Sequence, residues 1–335
     1  MKRVAVIAAA MLIAAAAIGA RADAPVVPTN PLLPSGPDPW IVRQGATYYY
    51  MSTLGDRLAI RRTDDLSRLD RAPEAIVWTP PATGSNARSI WAPELHRIDG
   101  RWFIYYTAAA SDHDDDAHRG IFVLENASPD PTRGRWIDRG RIVTRWPGID
   151  ATTFEHRGRR YMVYSPYVGP DSVLAIAPMR DPWTLDGPER IIARPDRDWE
   201  RQGGRQILEG PAFVRGPSGR LFLTYSASAC WSDGYALGLL SAAADSDPLD
   251  PSAWTKSATP VLQSNPAGQV FAPGHNGFFT GRDGRTWTVF HANRRAGMKC
   301  TVARAPHVQR VRWTASGDPV FAPPMTGPVG GSGED

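Results

Sequence analysis

One layout recurs five times along this chain: a polar or charged residue beside Pro or Gly, a short strand, a turn, then an aromatic-rich strand. The first copy is Asp38-Pro39-Trp40-Ile41-Val42, a turn at Gln44-Gly45, then Tyr48-Tyr49-Tyr50-Met51-Ser52-Thr53. The second is Ala92-Pro93-Glu94-Leu95, Asp99-Gly100, then Trp102-Phe103-Ile104-Tyr105-Tyr106. The third runs from Asp150 through Arg157-Gly158 to Tyr161-Met162-Val163-Tyr164-Ser165. The fourth is Glu209-Gly210-Pro211-Ala212-Phe213, Ser218-Gly219, then Leu221-Phe222-Leu223-Thr224-Tyr225-Ser226. The fifth is Gly274-His275-Asn276-Gly277-Phe278, Asp283-Gly284, then Trp287-Thr288-Val289-Phe290-His291. The lead residues, Asp38, Glu94, Asp150, Glu209 and His275, stand 56, 56, 59 and 66 apart. Self-similarity at such a period marks repeat architectures, and the x-Gly turns are hairpin signals. Further strand-like text follows the hairpins, as at 119–125 and 236–240. The spacing therefore predicts an all-β, five-bladed β-propeller with four-stranded antiparallel blades around a central channel. A pair of packed sheets is the competing arrangement, and the even spacing favours the propeller. The 31 Gly and 31 Pro among 335 residues suit short strands joined by turns and exclude a helical bundle. With 42% hydrophobic residues the chain can build a core, which excludes wholesale disorder.

The ends read differently from the repeats. Lys2 and Arg3, the apolar run 4–18 and the small-x-small triplet Ala20-Arg21-Ala22 have the layout of a secretory leader. That predicts residues 1–22 as a signal peptide, 23–326 as a single propeller domain, and the Gly-rich 327–335 as a flexible tail. Removing residues 1–22 takes away three cations and no acids, so the formal charge of +4 falls to +1. A nucleic-acid partner argued from net charge would rest on discarded residues, and no such partner is expected. No other stretch is apolar for long enough to span a membrane, so the mature chain is expected in the periplasm or the medium. Cys230 and Cys300 are both in the exported part, where a disulfide is allowed and a free pair equally so.

In a propeller the innermost strand of each blade lines the channel, so residues at one place in successive repeats converge around one pocket. Four carboxylates and one His gathered in this way are costly to bury unless they do chemistry or bind a cation. Facing carboxylates suit glycoside hydrolysis, in which one protonates the leaving oxygen and another activates water. The acid must keep its proton near neutral pH, which like charges and apolar walls achieve. Trp40 and Trp91 are the candidate faces for sugar rings. The run Asp112-His113-Asp114-Asp115-Asp116-Ala117-His118 has the composition of a metal site but not the spacing of an EF-hand, and reads as a solvated loop.

The motifs Gly36-Pro37-Asp38-Pro39-Trp40, Trp91-Ala92-Pro93-Glu94-Leu95-His96, Ile149-Asp150-Ala151-Thr152, Glu209-Gly210-Pro211-Ala212 and Gly274-His275-Asn276-Gly277-Phe278 together resemble glycoside hydrolase family 43. That family comprises five-bladed propeller enzymes acting on arabinose- and xylose-containing polysaccharides, and the similarity runs from about Asn30 to Pro324. The resemblance implies that Asp38 is the general base, that Glu209 is the general acid, and that Asp150 orients the acid and tunes its pKa. It also implies inversion at the anomeric centre, with the two reacting carboxyls about 6.5–9.5 Å apart. His275 matches a family histidine near the channel axis that is often linked through water to calcium. A structural calcium there is one expectation and plain hydrogen bonding the other, with no cofactor required for the reaction. Glu94 is expected to make a structural hydrogen bond.

Trp199-Glu200, Tyr225-Ser226-Ala227-Ser228, Leu237-Gly238-Leu239-Leu240 and Trp254-Thr255-Lys256 look most like the α-L-arabinofuranosidase branch. The substrate expected on this resemblance is terminal arabinofuranose on arabinan or on arabinose-decorated xylan of plant cell walls. A β-xylosidase or an endo-arabinanase on the same scaffold is the alternative. A glycan-binding propeller without catalysis is less expected, because a lectin needs no matched acid and base.

Overall fold

The computed structural model describes residues 27–330. Five antiparallel sheets succeed one another along the chain. The first blade is Trp40–Gln44, Thr47–Met51, Leu58–Thr63 and Glu74–Trp78. The second is Arg88–Ile98, Arg101–Ala109, Gly120–Asn126 and Ile137–Arg141. The third is built on Gly148–His156, Arg159–Val168 and Leu174–Asp181, with the short strands Asp171–Ser172, Thr184–Leu185 and Arg190–Ala193 around them. The fourth is Leu208–Arg215, Leu221–Ala227, Ala236–Ala242 and Thr255–Lys256. The fifth is Phe271–Thr280, Thr286–Asn293 and Ala305–Arg310. The first strands of adjacent blades touch all the way round, the fifth returning to the first. This is the five-bladed propeller that the repeat predicted.

The blade count holds, but not every blade has four strands. The fifth sheet has three, and residues 30–36 run along its free edge. Asn30 Nδ2 donates to Val308 O at 2.8 Å, Asn30 Oδ1 accepts from Val308 N at 2.8 Å, and Leu32 N donates to Pro306 O. An amide side chain thus satisfies edge groups that a fourth strand would otherwise pair. Thr29–Asn30 also pairs with Gly327–Pro328, and Val329 is buried. Residues 327–329, expected as part of a flexible tail, are thus paired and packed against the ring. The leader at 1–22 lies outside the described residues, as do 331–335.

The core is divided among the blades instead of filling the centre. Both faces of each blade are covered by neighbours, so the second strands are almost continuously buried. Period-two alternation then sorts their side chains. Trp102, Ile104 and Tyr106 pack with Tyr49, Met51 and Leu58 between the first and second blades, whereas Phe103 and Tyr105 pack with Met162 and Tyr164 between the second and third. Similar clusters fill the other three junctions. Apolar burial in the junctions leaves the ring's middle to polar side chains.

Candidate active site

The first strand of each blade, or in the first blade the turn just before it, holds a residue in the left-handed region: Asp38 (φ 53°), Ala92 (44°), Asp150 (58°), Gly210 (54°) and His275 (48°). In the last four blades the pairing register slips just past it, a β-bulge that re-aims the chain. The residue before it pairs with the end of the second strand: Trp91 with Thr107, Ile149 with Ser165, Glu209 with Ser226, and Gly274 with His291. In the first blade Thr53 N donates to Pro37 O in the same way. Non-glycine residues pay a steric cost for positive φ, and such strain collects at functional sites. Asp38, Asp150 and His275 are thus equivalent. The sequence register is corrected at two positions. Glu209 sits one residue ahead of the left-handed position, and Glu94 two residues behind it, at Ala92.

The N–H of the left-handed residue is taken by the neighbouring blade. Ala92 N donates to Thr53 Oγ1 (2.7 Å), Asp150 N to Thr107 Oγ1 (3.0 Å), His275 N to Ser226 Oγ (2.6 Å) and Asp38 N to His291 Nδ1 (3.0 Å). The fifth junction departs from the rule. Gly210 N donates to Asp150 Oδ2 at 3.1 Å, and the equivalent Ser165 Oγ is buried without a partner among the described residues. The Asp150 carboxylate is therefore tied to the backbone immediately after Glu209. Glycine suits 210: it adopts the positive φ without strain, and a Cβ there would lie 3.0 Å from the His275 ring and press on it.

Asp38, Asp150 and His275 are buried, and Glu209 stands half-buried beside them in one group. The His275 Nδ1 atom lies 3.4 Å from Asp38 Oδ1 and 3.9 Å from Asp150 Oδ2. Two further side chains arrive from loops. Tyr235 Oη donates to Glu209 Oε1 at 2.7 Å, and Arg304 Nη1 donates to Asp38 Oδ1 at 3.3 Å. Thr53 Oγ1 donates to Asp38 Oδ2 at 2.6 Å.

These surroundings drive the carboxyls apart. Burial alone would raise the Asp38 pKa, but Arg304, then His275 and His291, outweigh it and hold the carboxyl well below the ordinary carboxylate range. Burial pushes Glu209 up to about 7, against the Tyr235 hydrogen bond and with help from the Asp38 charge. Burial, followed by the Glu209 and Asp38 charges, raises Asp150 well above the ordinary value. Burial keeps His275 and His291 below the ordinary histidine pKa, His291 at about 3, so both imidazoles are neutral at pH 7. One pocket thus holds an ionised carboxylate and a carboxylic acid that keeps its proton to near neutrality. That pairing is what general acid–base hydrolysis of a glycosidic bond requires.

The remaining candidates separate. Trp91 occupies the register position of Glu209 and is half-buried, with the Arg119 guanidinium 4.2 Å over one face of its ring. Trp40 is corrected. Its ring is buried in the junction of the first two blades, Nε1 donates to Leu95 O at 2.8 Å, and His96 packs at 5.1 Å, so no sugar reaches it. Glu94 is buried against His96, with Glu94 Oε2 and His96 Nε2 2.8 Å apart, and makes the expected structural hydrogen bond. His275 Nδ1 faces the Asp38 and Asp150 carboxylates, and among the described residues no group of three or more His, Cys, Asp or Glu side chains is placed to hold a metal ion directly. The acidic run at 112–118 is an exposed loop whose Asp114 and Asp116 bind Arg119, while Asp116 also meets Arg205 at 3.1 Å. A cavity of about 570 Å³ lined by Tyr48, Phe279, Trp287 and Arg282 lies at the opposite ends of the first and fifth blades and holds none of the site residues.

Tyr235, Arg304, Thr53, Thr107, Ser226 and His291 were not singled out from the sequence. Four of them had a signal, since a hydroxyl or His ends the aromatic-rich second strand of each repeat. Tyr235 and Arg304 had none, because they stand on loops outside the repeat.

Residues 28–319 match the family described as Glycosyl hydrolases family 43. An extracellular exo-α-(1→5)-L-arabinofuranosidase of Streptomyces chartreusis is 40% identical over 85% of this chain and 88% of its own length. α-L-Arabinofuranosidase 43 of Humicola insolens is 37% identical over 96% of this chain and 69% of its own. The crystal structure of an α-L-arabinofuranosidase from Lactobacillus brevis superposes with a TM-score of 0.84 at 35% identity, covering 89% of this chain and 97% of that one. With a family match over nearly the whole described chain, a relative 40% identical and a matched acid–base pair in the channel, the chain belongs to glycosyl hydrolase family 43 and is a glycoside hydrolase.

Proposed function

We propose that this hydrolase releases terminal α-L-arabinofuranose, with inversion, from arabinan or arabinose-decorated xylan, and that it does so outside the cytoplasm. The observation that carries the chemistry is the opposite poise of Asp38 and Glu209 in one buried pocket. Asp38, ionised, takes a proton from water as the water oxygen attacks the anomeric carbon. Glu209, protonated, gives its proton to the departing oxygen as the glycosidic bond breaks. Asp150 holds Gly210 N and so fixes the strand that carries the acid. Trp91, backed by Arg119, offers its free face to the sugar. The names of the relatives support the arabinofuranosyl specificity. Export is supported by the leader-like start and by the Cys230–Cys300 disulfide, a bond kept in oxidising compartments. Among the described residues no helix is long and apolar enough to cross a membrane.

The test is hydrolysis of an aryl α-L-arabinofuranoside against an aryl β-D-xylopyranoside, with Glu209→Ala as the control for contaminating activity. Preference for the arabinoside is expected, with the β anomer of free arabinose appearing first by NMR. On arabino-oligosaccharides Glu209→Ala should lower kcat about 10²–10⁴-fold. Preference for the xyloside would overturn the substrate assignment, and the α anomer appearing first would overturn inversion.

A further inference from the structure

The two side chains that tune the reacting carboxyls stand on loops of different blades, and one covalent bond joins those loops. Cys230 lies between Leu221–Ala227 and Ala236–Ala242 of the fourth blade, on the loop that ends at Tyr235. Cys300 lies between Thr286–Asn293 and Ala305–Arg310 of the fifth, on the loop that ends at Arg304. Their Cα atoms are 5.2 Å apart and their sulfurs are bonded. The only other tie between these loops among the described hydrogen bonds is from Gly297 N to the Asp233 carboxylate, at 2.9 and 3.0 Å, on an exposed surface. Beyond the bond the two loops converge on the same spot. The Tyr235 ring stacks on His291 with centroids 5.9 Å apart and planes at 5°, and His291 accepts Asp38 N while its Nε2 lies 3.2 Å from Arg304 Nη1. Tyr235 comes this close because residue 274 is glycine; a Cβ there would lie 2.1 Å from the ring.

We infer that the Cys230–Cys300 bond is a positioning device for catalysis: it fixes Tyr235 against Glu209 and Arg304 against Asp38, so that the acid and the base are set together. The inference rests on the roles proposed above for Asp38 and Glu209. A cross-link that only stabilises the fold would lower the unfolding temperature and leave the chemistry of the folded enzyme alone. A positioning bond also moves the pH profile, and in a direction that follows from the contacts. Asp38 is faced by Thr53, His275, His291, Asp150 and Arg304, and Glu209 by Tyr235, Asp38, Asp150, Arg304 and Arg205. Of these, only Tyr235 and Arg304 are carried on the bridged loops. Loosening Arg304 removes a cation that lowers Asp38 and also lowers Glu209. Loosening Tyr235 removes a hydrogen bond that lowers Glu209. Every loss raises a pKa, so both limbs of the bell shift to higher pH.

The experiment compares wild type with Cys230→Ser/Cys300→Ser, reading kcat and KM for an arabino-oligosaccharide across pH, well below each protein's unfolding temperature. Expected are a fall in kcat of about tenfold or more, as misplacement by about 1 Å gives, and an upward shift of both limbs. A lower unfolding temperature with kcat and both limbs unchanged overturns the inference. If the double variant does not fold, the same profile is read on wild-type enzyme reduced and alkylated in the folded state, with native circular dichroism as the check. The parent reading fails separately, through wild-type activity that survives Glu209→Ala.

Discussion

Glu209 shows how little separates an ordinary surface glutamate from an acid held near pH 7. Burial raises it, the Asp38 charge adds to the effect, and a single hydrogen bond from Tyr235 restrains it. The sign of Tyr235→Phe follows. The hydroxyl stabilises the ionised form, so its loss raises the Glu209 pKa further. Because the acid works only while protonated, the alkaline limb of kcat/KM, near 7 in the wild type, should move to higher pH. The acid limb, set by Asp38 below the ordinary carboxylate range, should stay where it is. A pH series on an arabino-oligosaccharide checks this, and an alkaline limb moving down would contradict it. The three acidic residues were legible in the sequence because each opens a repeat at an equivalent spacing and sits in a family motif. Trp40 was misread for a related reason. It is two residues from Asp38, yet the left-handed backbone at Asp38 breaks the strand's alternation there, and Trp40, first residue of the strand, turns its ring into the junction of the first two blades. Tyr235 and Arg304 left no trace, since a loop residue acquires its role from where the loop folds back.

Among the elements, the second strands do more than fill the junctions. Residues at or just past their ends, Thr53, Thr107, Ser226 and His291, hold the left-handed N–H of the next blade. The repeat made these strands visible but not their register, because a bulge changes the count of residues before the pocket without changing the hydrophobic pattern. That is why Glu94 and Glu209 aligned with Asp38 by motif and not by structure. The ring gives a paired prediction. Thr107→Val leaves the buried Asp150 N–H without an acceptor, and should cost about 1–3 kcal/mol in urea unfolding. Asp150 should then shift, and kcat should fall with it. Ser165→Ala, at the equivalent place in the third blade, removes a hydroxyl that has no partner and should change stability by less than about 1 kcal/mol. Equal losses at the two positions would show that hydroxyl volume, not the hydrogen bond, is what the ring uses.

At the scale of the whole molecule, a propeller must hold its last blade to its first, and here residues 29–36 and 327–329 take part in that closure. The fifth sheet lacks a fourth strand, and Asn30 bonds both backbone groups of Val308 across that edge while Thr29–Asn30 pairs with Gly327–Pro328. Composition at 327–335 suggested a loose tail, and Gly-rich text does not reveal that a backbone pairs, since any residue can supply the ladder. The closing junction is also where Asp38 N meets His291. Asn30→Ala therefore acts at two places. It strands the buried Val308 N–H and C=O, which should cost about 2–4 kcal/mol in urea unfolding. It also loosens the first blade against the fifth, so kcat measured at 25 °C on folded protein should fall while KM changes less. Asn30→Asp tests the cause, because a carboxylate still accepts from Val308 N but cannot donate to Val308 O. At pH 7 it should be no more stable than Asn30→Ala, because the buried carboxylate is unpaired and faces the Val308 carbonyl oxygen, and it should recover part of the loss at a pH low enough to protonate it. If instead Asn30→Ala unfolded as easily as expected yet turned over substrate at the wild-type rate, ring closure and the Asp38 pocket would be independent, and the site would owe its geometry to the strand-end contacts alone.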